Sequence, residues 1–212
     1  MRHQINFKEL RDAELAVSND PKNVHDHLKS FSVPELQEMS LNDRQPWHVC
    51  CFNLTGDLNV GTIIRSAHLL GAKSVTIFGR TRIDNRGLVG ASNYIKVNKV
   101  QALNDDLTFD KDIFIDTMNS MNLVPIMCEL GGENIYTLPW EDKIANIIDN
   151  SKEPCLVMGN ESNGIPDDII RAAEGIGGFC VSIPQRGVIR SFNVSTAFSL
   201  IAGQMVSKMT WW

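Results

Sequence analysis

The chain has no C-x-x-C pair, no H-E-x-x-H, no G-x-G-x-x-G and no P-loop lysine, and each absence removes a class of function. Its five cysteines, Cys50, Cys51, Cys128, Cys155 and Cys180, cannot all pair within one chain, and each lies in or beside an apolar run. That pattern suits buried reduced thiols better than a disulfide frame or a zinc site. His25 and His27 sit in a polar stretch and read as a solvated helix face, so no metal is expected. No window carries the long uncharged apolar run that a membrane helix needs. The N-terminal MRHQINFKEL has charge but no apolar stretch behind it, so no signal peptide is visible and a soluble, cytoplasmic protein is expected. Internal repeats and low-complexity segments are also missing.

What is present is 212 residues that are 43% hydrophobic, enough for one large domain, with or without an appendage, around a single core. The formal charge of −5 argues against indiscriminate nucleic-acid binding. Between Lys73 and Lys99, however, Lys73, Arg80, Arg82, Arg86, Lys96 and Lys99 stand against Asp84 alone. This strip is either a phosphate-facing surface or an ordinary solvated loop.

Residues 1 to about 45 are polar, with short helical patterns near Phe7–Val17 and Val33–Met39. Turn signals at Asn19-Asp20-Pro21 and Arg44-Gln45-Pro46 bracket them, which reads as a helical extension on a main domain running from 46 to 212. From Trp47 strands and helices alternate. Strands are expected at His48–Asn53, Ser74–Phe78, Leu123–Cys128, Pro154–Met158 and Gly178–Ile183. Helices are expected around Val60–Gly71, over Asp110–Met121 and Trp140–Asp149, from Pro166, and at the C-terminus. Such alternation argues an α/β fold with a mostly parallel sheet flanked by helices.

Three polar constellations interrupt the apolar pattern. Asn59-Val60-Gly61-Thr62-Ile63-Ile64-Arg65 opens a helix, and a guanidinium there suits a forked grip on phosphate, although a plain surface charge is the simpler account. Gly159-Asn160-Glu161-Ser162-Asn163-Gly164 follows a strand, where glycine lets backbone approach a ligand closely. Glu161 could cap the coming helix or act in a site. The stretch Ser182–Val206 runs from a strand end through a polar hinge holding Arg190, Ser191, Phe192, Asn193 and Ser195 into an apolar helix. Polar groups bunched between two buried elements are costly unless they bind something. Ser191 or Asn193 could equally cap the helix that follows.

Together these segments, N-x-G-x-x-x-R, G-x-E-x-x-G and I-P-x-x-G-x-x-x-S-x-N-V-S, resemble the motifs of the SpoU/TrmH family of RNA ribose 2′-O-methyltransferases, in the SPOUT superfamily. The likeness spans roughly Trp47 to Lys208, in the family's order. The wording of Gly159–Pro166 and Ile183–Val194 looks most like members that methylate guanosine 18 of the tRNA D-loop. The resemblance implies a C-terminal trefoil knot, which connection rules alone would exclude. It also implies S-adenosyl-L-methionine as cofactor, at Met158, Gly159, Ile183 and Phe192, with backbone groups of the last three holding the adenine. Arg65 matches the family's catalytic arginine, and Asn59, Glu161, Ser191 and Asn193 match the other polar positions. Thr62 stands where asparagine is common and Phe192 where leucine is usual. The fold implied is a homodimer, in which the apolar last helix, ending Thr210-Trp211-Trp212, is either interface or core.

The reaction implied is in-line attack of a ribose 2′-hydroxyl on a sulfonium methyl, which needs alignment and removal of one proton. A guanidinium keeps its proton at ordinary pH, so Arg65 is better placed to clamp the target phosphate than to act as base. RNA is favoured over DNA because only RNA carries the 2′-hydroxyl. Its backbone would meet Arg80, Arg82, Arg86, Arg186 and Arg190. The short N-terminal extension favours tRNA as partner. The alternatives are a ribosomal-RNA methyltransferase and a catalytically silent RNA-binding factor of the same fold. Retention of Asn59, Arg65, Glu161, Ser191 and Asn193 weighs against the silent factor.

Overall fold

A computed structural model of the chain describes residues 22–53, 58–79, 85–104, 106–160 and 163–209. The expected helix at Phe7–Val17, the turn at Asn19-Asp20-Pro21 and residues 210–212 lie outside that set. Helix α1 (Val33–Asn42) starts with a capping box in which Ser32 and Glu35 satisfy each other's backbone. The remaining elements are β1 (Gln45–Asn53), α2 (Leu58–Leu69), β2 (Ala72–Gly79), β3 (Lys96–Val100), α3 (Lys111–Ser120), β4 (Leu123–Asn134), α4 (Trp140–Asp149), β5 (Glu153–Met158), α5 (Asp167–Gly175), β6 (Phe179–Ser182) and α6 (Val194–Val206).

The six strands form one sheet in the order β3-β2-β1-β5-β4-β6, and every paired neighbour is parallel. Alternation along each strand sends apolar side chains to both faces, as a sheet covered on both sides requires. In β1, Trp47, Val49 and Cys51 join one core with Val60, Ile63, Ile64 and Ala67 of α2, Ile144 of α4 and Phe198, Ile201 and Met205 of α6. Cys50 and Phe52 face a second core with Phe114 and Met118 of α3 and Ile169 and Ala173 of α5. Phe52, Phe78, Phe109 and Phe114 stack edge-on or tilted in that second core. The apolar face of α6 is thereby buried within its own chain.

Three expectations need correction. Arg44-Gln45-Pro46 is no turn, because β1 already begins at Gln45; Pro46 is tolerated there at an irregularity in the pairing with β2, where no ladder donor is needed. Gly71 lies past the end of α2 and not on it; it reverses the chain at φ +76°. The basic strip is partly strand, since Lys96–Val100 adds β3 to the sheet edge, with Lys96 and Lys99 exposed. Lysines on an edge strand discourage pairing with another chain.

Arg44 ties α1 to the end of α2 and to the segment before β3. It donates to the carbonyls of His68 and Tyr94, both at 2.8 Å, and also meets Ser40 Oγ and His68 Nδ1. A guanidinium can only donate, so Nδ1 of His68 must accept and the ring must be neutral. Burial, helped by the Arg44 charge, pushes the His68 pKa down to about 4. A depressed histidine pKa favours the fold above the unfolded value and loses that contribution as pH falls toward the folded one. Stability should therefore drop between about pH 6.5 and 4 by about 2 kcal/mol from this ring, after discounting for its partial exposure. Denaturation at several pH values checks this. His68→Asn, which keeps an acceptor and cannot titrate, should flatten the profile in that window, and an unchanged profile would refute the assignment.

Candidate functional site

The chain turns both ways from β1: β2 and β3 lie on one side, β5, β4 and β6 on the other. In open parallel sheets the crevice at such a reversal, beyond the carboxyl ends of the strands, is where ligands bind. Here that end of the sheet carries the start of α2 after β1, Gly159, Asn160 and Asn163–Ile165 after β5, and the hinge between β6 and α6.

Helices α2 and α6 lie against each other, and their first turns bring two of the motifs together. Asn193 Nδ2 donates to Asn59 Oδ1 at 3.0 Å. Asn193 Oδ1 accepts from the backbone of Ser195 and Thr196, which makes it the N-cap of α6, and from Ser195 Oγ at 2.7 Å. Ser195 Oγ also lies 3.3 Å from Asn59 Oδ1. Asn193 therefore caps α6 and at the same time bonds Asn59 of the first motif, so capping leaves room for a second role. The cap holds its amide in the one orientation that reaches Asn59.

The loop after β5 closes on itself. Asn160 and Gly164 exchange backbone hydrogen bonds at 3.0 and 2.8 Å, and Ile165 N donates to Glu129 Oε1 at 2.6 Å. Gly164 has φ +66°, and a Cβ there would lie 2.5 Å from Glu129 Oε1, so only glycine fits. Glu129 escaped the sequence reading because it lies just past the expected strand end at Cys128. The strand continues to Asn134, and its pairing with β6 shifts between Cys128 and Glu133, which displaces Glu129 toward the loop. Gly87 escaped as well. Its Cα packs against the first turn of α2 so closely that a Cβ would stand 2.7 Å from Leu58 O, which sets Arg86 beside that helix.

Arg65 is not in the Asn59 cluster. Six residues along a helix rotate it off that face, onto an exposed strip with Leu58 and Leu69. It makes no hydrogen bond or ion pair with another described residue. The hinge also differs from expectation: Arg186, Val188, Ile189, Arg190, Ser191 and Phe192 are exposed, Phe192 to 42%. The desolvation argument thus applies to the half-buried Asn59 and Ser195, and not to Arg190, Ser191 or Asn193, which are exposed. Met158 and Ile183 are buried. Arg86 is exposed, while Arg80, Arg82 and Glu161 lie outside the described residues.

The chemistry of the remaining donors bears on a bound adenine. Gly159, Ile183 and Phe192 make no backbone hydrogen bond to another described residue, although Ile183 is buried. Backbone groups that no described residue satisfies at these positions are of the kind that could meet the edge of a flat heteroaromatic ring. Among the described residues no His, Cys, Asp and Glu group could hold a metal ion, and no helix is long and apolar enough to cross a membrane. Burial raises the pKa of the Cys51 thiol to about 12 and that of Cys50 well above its ordinary value, as expected of inert reduced thiols.

A parallel α/β sheet with polar helix starts and a glycine loop at its reversal is an open α/β fold of the kind that binds ligands at that point. Residues 46–203, well over half of the chain, match the model of the SpoU rRNA Methylase family, and the protein belongs to that family. Solved structures agree in fold. The A. aeolicus TrmH/SpoU tRNA modifying enzyme is similar at 18% identity and TM-score 0.62, over 83% of this chain and 81% of its own. An AdoMet-bound rRNA methyltransferase from Sinorhizobium meliloti matches at 24% identity and TM-score 0.58, over 78% of this chain and 59% of that one. The SpoU methyltransferase AviRb from Streptomyces viridochromogenes, in complex with AdoMet, matches at 21% and 0.55, over 78% and 58%. The chain thus spans under two thirds of the length of the last two. No curated protein matches it.

Proposed function

We propose that this protein is an S-adenosyl-L-methionine-dependent methyltransferase acting on ribose 2′-hydroxyls of RNA, with tRNA as substrate and guanosine 18 of the D-loop as target. The observation that carries the reading is the bonded Asn59–Asn193–Ser195 cluster, which joins the first and third motifs. Support for tRNA comes from the A. aeolicus tRNA modifying enzyme, 81% of which this chain covers. Support for the nucleotide comes from the wording of Gly159–Pro166 and Ile183–Val194.

When bound, the cofactor supplies a methyl group on a sulfonium, an electrophilic carbon. The chain's own residues do the rest. Backbone at Gly159, Ile183 and Phe192 holds the adenine, and Met158 lines the floor. Arg65 grips the phosphate next to the target ribose in a fork, which a planar guanidinium does better than any other side chain. Asn59 and Asn193, with Glu161 and Ser191, orient the hydroxyl, and its proton leaves through the phosphate or water. Alignment supplies much of the rate. A second copy of the chain completes the site: Arg65, turned away from its own Asn59 cluster, reaches the cofactor of the partner. The close backbone crossing at Gly132, where a Cβ would stand 2.6 Å from Cys180 C, suits the tight thread of a C-terminal knot.

Incubation with labelled S-adenosylmethionine and separate tRNA and rRNA pools, followed by mapping of 2′-O-methylated sites, tests the reading. Label at guanosine 18 of tRNA is the expected result. Label in rRNA alone would replace the substrate, and RNA binding without label would make the chain a silent factor. Changing Arg82 and Arg86 together to Glu should weaken RNA binding about tenfold or more at low salt and leave cofactor affinity unchanged. Unchanged RNA affinity at low salt would remove that loop from the interface.

A further inference from the structure

At the amino-terminal end of the sheet, opposite the crevice, a polar row crosses four adjacent strands: Glu153 on β5, His48 on β1, Ser74 on β2 and Lys96 on β3. His48 and Ser74 are register partners, as are Ser74 and Lys96, so their side chains share one face. His48 Nδ1 lies 2.7 Å from Ser74 Oγ, and His48 Nε2 lies 2.6 Å from Glu153 Oε2. Lys73 donates to both oxygens of Glu153, at 2.7 and 3.0 Å. The row borders a pocket of about 370 Å³ that Asn122 also lines. Nothing in the methyl-transfer reading uses it.

The protonation pattern follows from the partners. Burial raises the Glu153 carboxyl, but its hydrogen bonds with Lys73 and His48 outweigh that and hold it below its ordinary range. Burial lowers the His48 pKa; the Glu153 bond and charge oppose this, and the Lys73 and Lys96 charges add to it. A carboxylate can only accept, so Nε2 carries the ring proton and Nδ1 presents a lone pair to the Ser74 hydroxyl. A serine hydroxyl donating to a neutral imidazole, whose far nitrogen is held by a carboxylate, is the arrangement that activates a nucleophile.

We propose that this pocket is a second reactive site, in which Ser74 is an acyl-accepting nucleophile toward small carboxylic esters bearing negative charge. Ser74 Oγ attacks the ester carbon while its proton passes to His48 Nδ1. The C–O bond to the alcohol breaks and that oxygen takes the proton from His48. Water then attacks the acyl-enzyme, giving one proton to His48, which returns it to Ser74 Oγ as the acid departs. Lys96, next to Ser74, offers positive charge to the developing oxyanion, and Lys73 and Lys96 together favour an anionic acyl group. The pocket volume, at the small end for ligand sites, excludes long chains. Glu153 is a positioning residue.

The test is covalent labelling of the wild-type protein with a small fluorophosphonate, located by mass spectrometry, which needs no variant to fold. An adduct on Ser74 is expected, lost in Ser74→Ala and slowed at least a hundredfold in His48→Gln. Glu153→Gln keeps an acceptor oxygen and removes the charge, so the pH limb of the labelling rate should move to lower pH. A nitrophenyl hemisuccinate should turn over about tenfold faster than the acetate. No adduct on Ser74 in the folded wild type, or labelling at equal rate in folded His48→Gln, overturns the proposal. Methyl transfer by Ser74→Ala should be unchanged, which keeps this site separable from the first.

Discussion

Replacing Arg65 by alanine is expected to lower the rate of methyl transfer by about a thousandfold while leaving the chain folded. Removing one preorganised charge from a transition-state contact costs about 10²–10³ in rate, and loss of phosphate alignment adds to that. Stability should hardly move. Arg65 is exposed on α2, makes no bond to another described residue, and alanine is the best helix former. Surface changes of that kind stay within about 0.5 kcal/mol. Arg65→Lys keeps the charge but not the fork, and should recover only part of the rate. Single-turnover kinetics at saturating RNA, beside a thermal melt, would read both. A turnover within fivefold of wild type would take Arg65 out of the reaction.

Gly159→Ala should cost about 2–4 kcal/mol or displace the loop it opens. An added Cβ would stand 2.5 Å from Gly164 C and 2.7 Å from Ile165 N, both backbone atoms with nowhere to retreat. Ile165 N is pinned on Glu129, and Gly164 is itself pressed against that carboxylate. The strain should appear as a lower denaturation midpoint and as cofactor affinity weakened at least tenfold. Gly187→Ala in the exposed hinge is the control: nothing lies within 4 Å of its Cβ position, and no cost is expected. Equal stability and equal cofactor binding in the two variants would mean that the loop after β5 is not the rigid wall described.

Much of the sheet was readable because fully buried parallel strands announce themselves as short apolar runs. Trp140–Asp149 was bounded correctly by its apolar spacing, and Pro166 was placed within one residue of the start of α5. Strand β3 was missed because KVNKV lies at an edge, half solvated and carrying lysine, so its pattern reads as loop. The far half of β4 was missed because Glu129, Gly131 and Gly132 look like a turn; they form an irregularity, and pairing with β6 resumes only at Glu133 and Asn134.

The sequence by itself determined the alternation of most strands and helices and the three motifs, since each depends on residues close together along the chain. It also named Asn193 as a cap or a site residue. Only the tertiary structure decided that it caps α6 and bonds Asn59 as well, because that partner lies 134 residues away. The same holds for Glu129 beneath the glycine loop, for the separation of Arg65 from Asn59, and for the Ser74–His48–Glu153 row. Strand register and helix packing set those neighbours, and neither is written in local spacing.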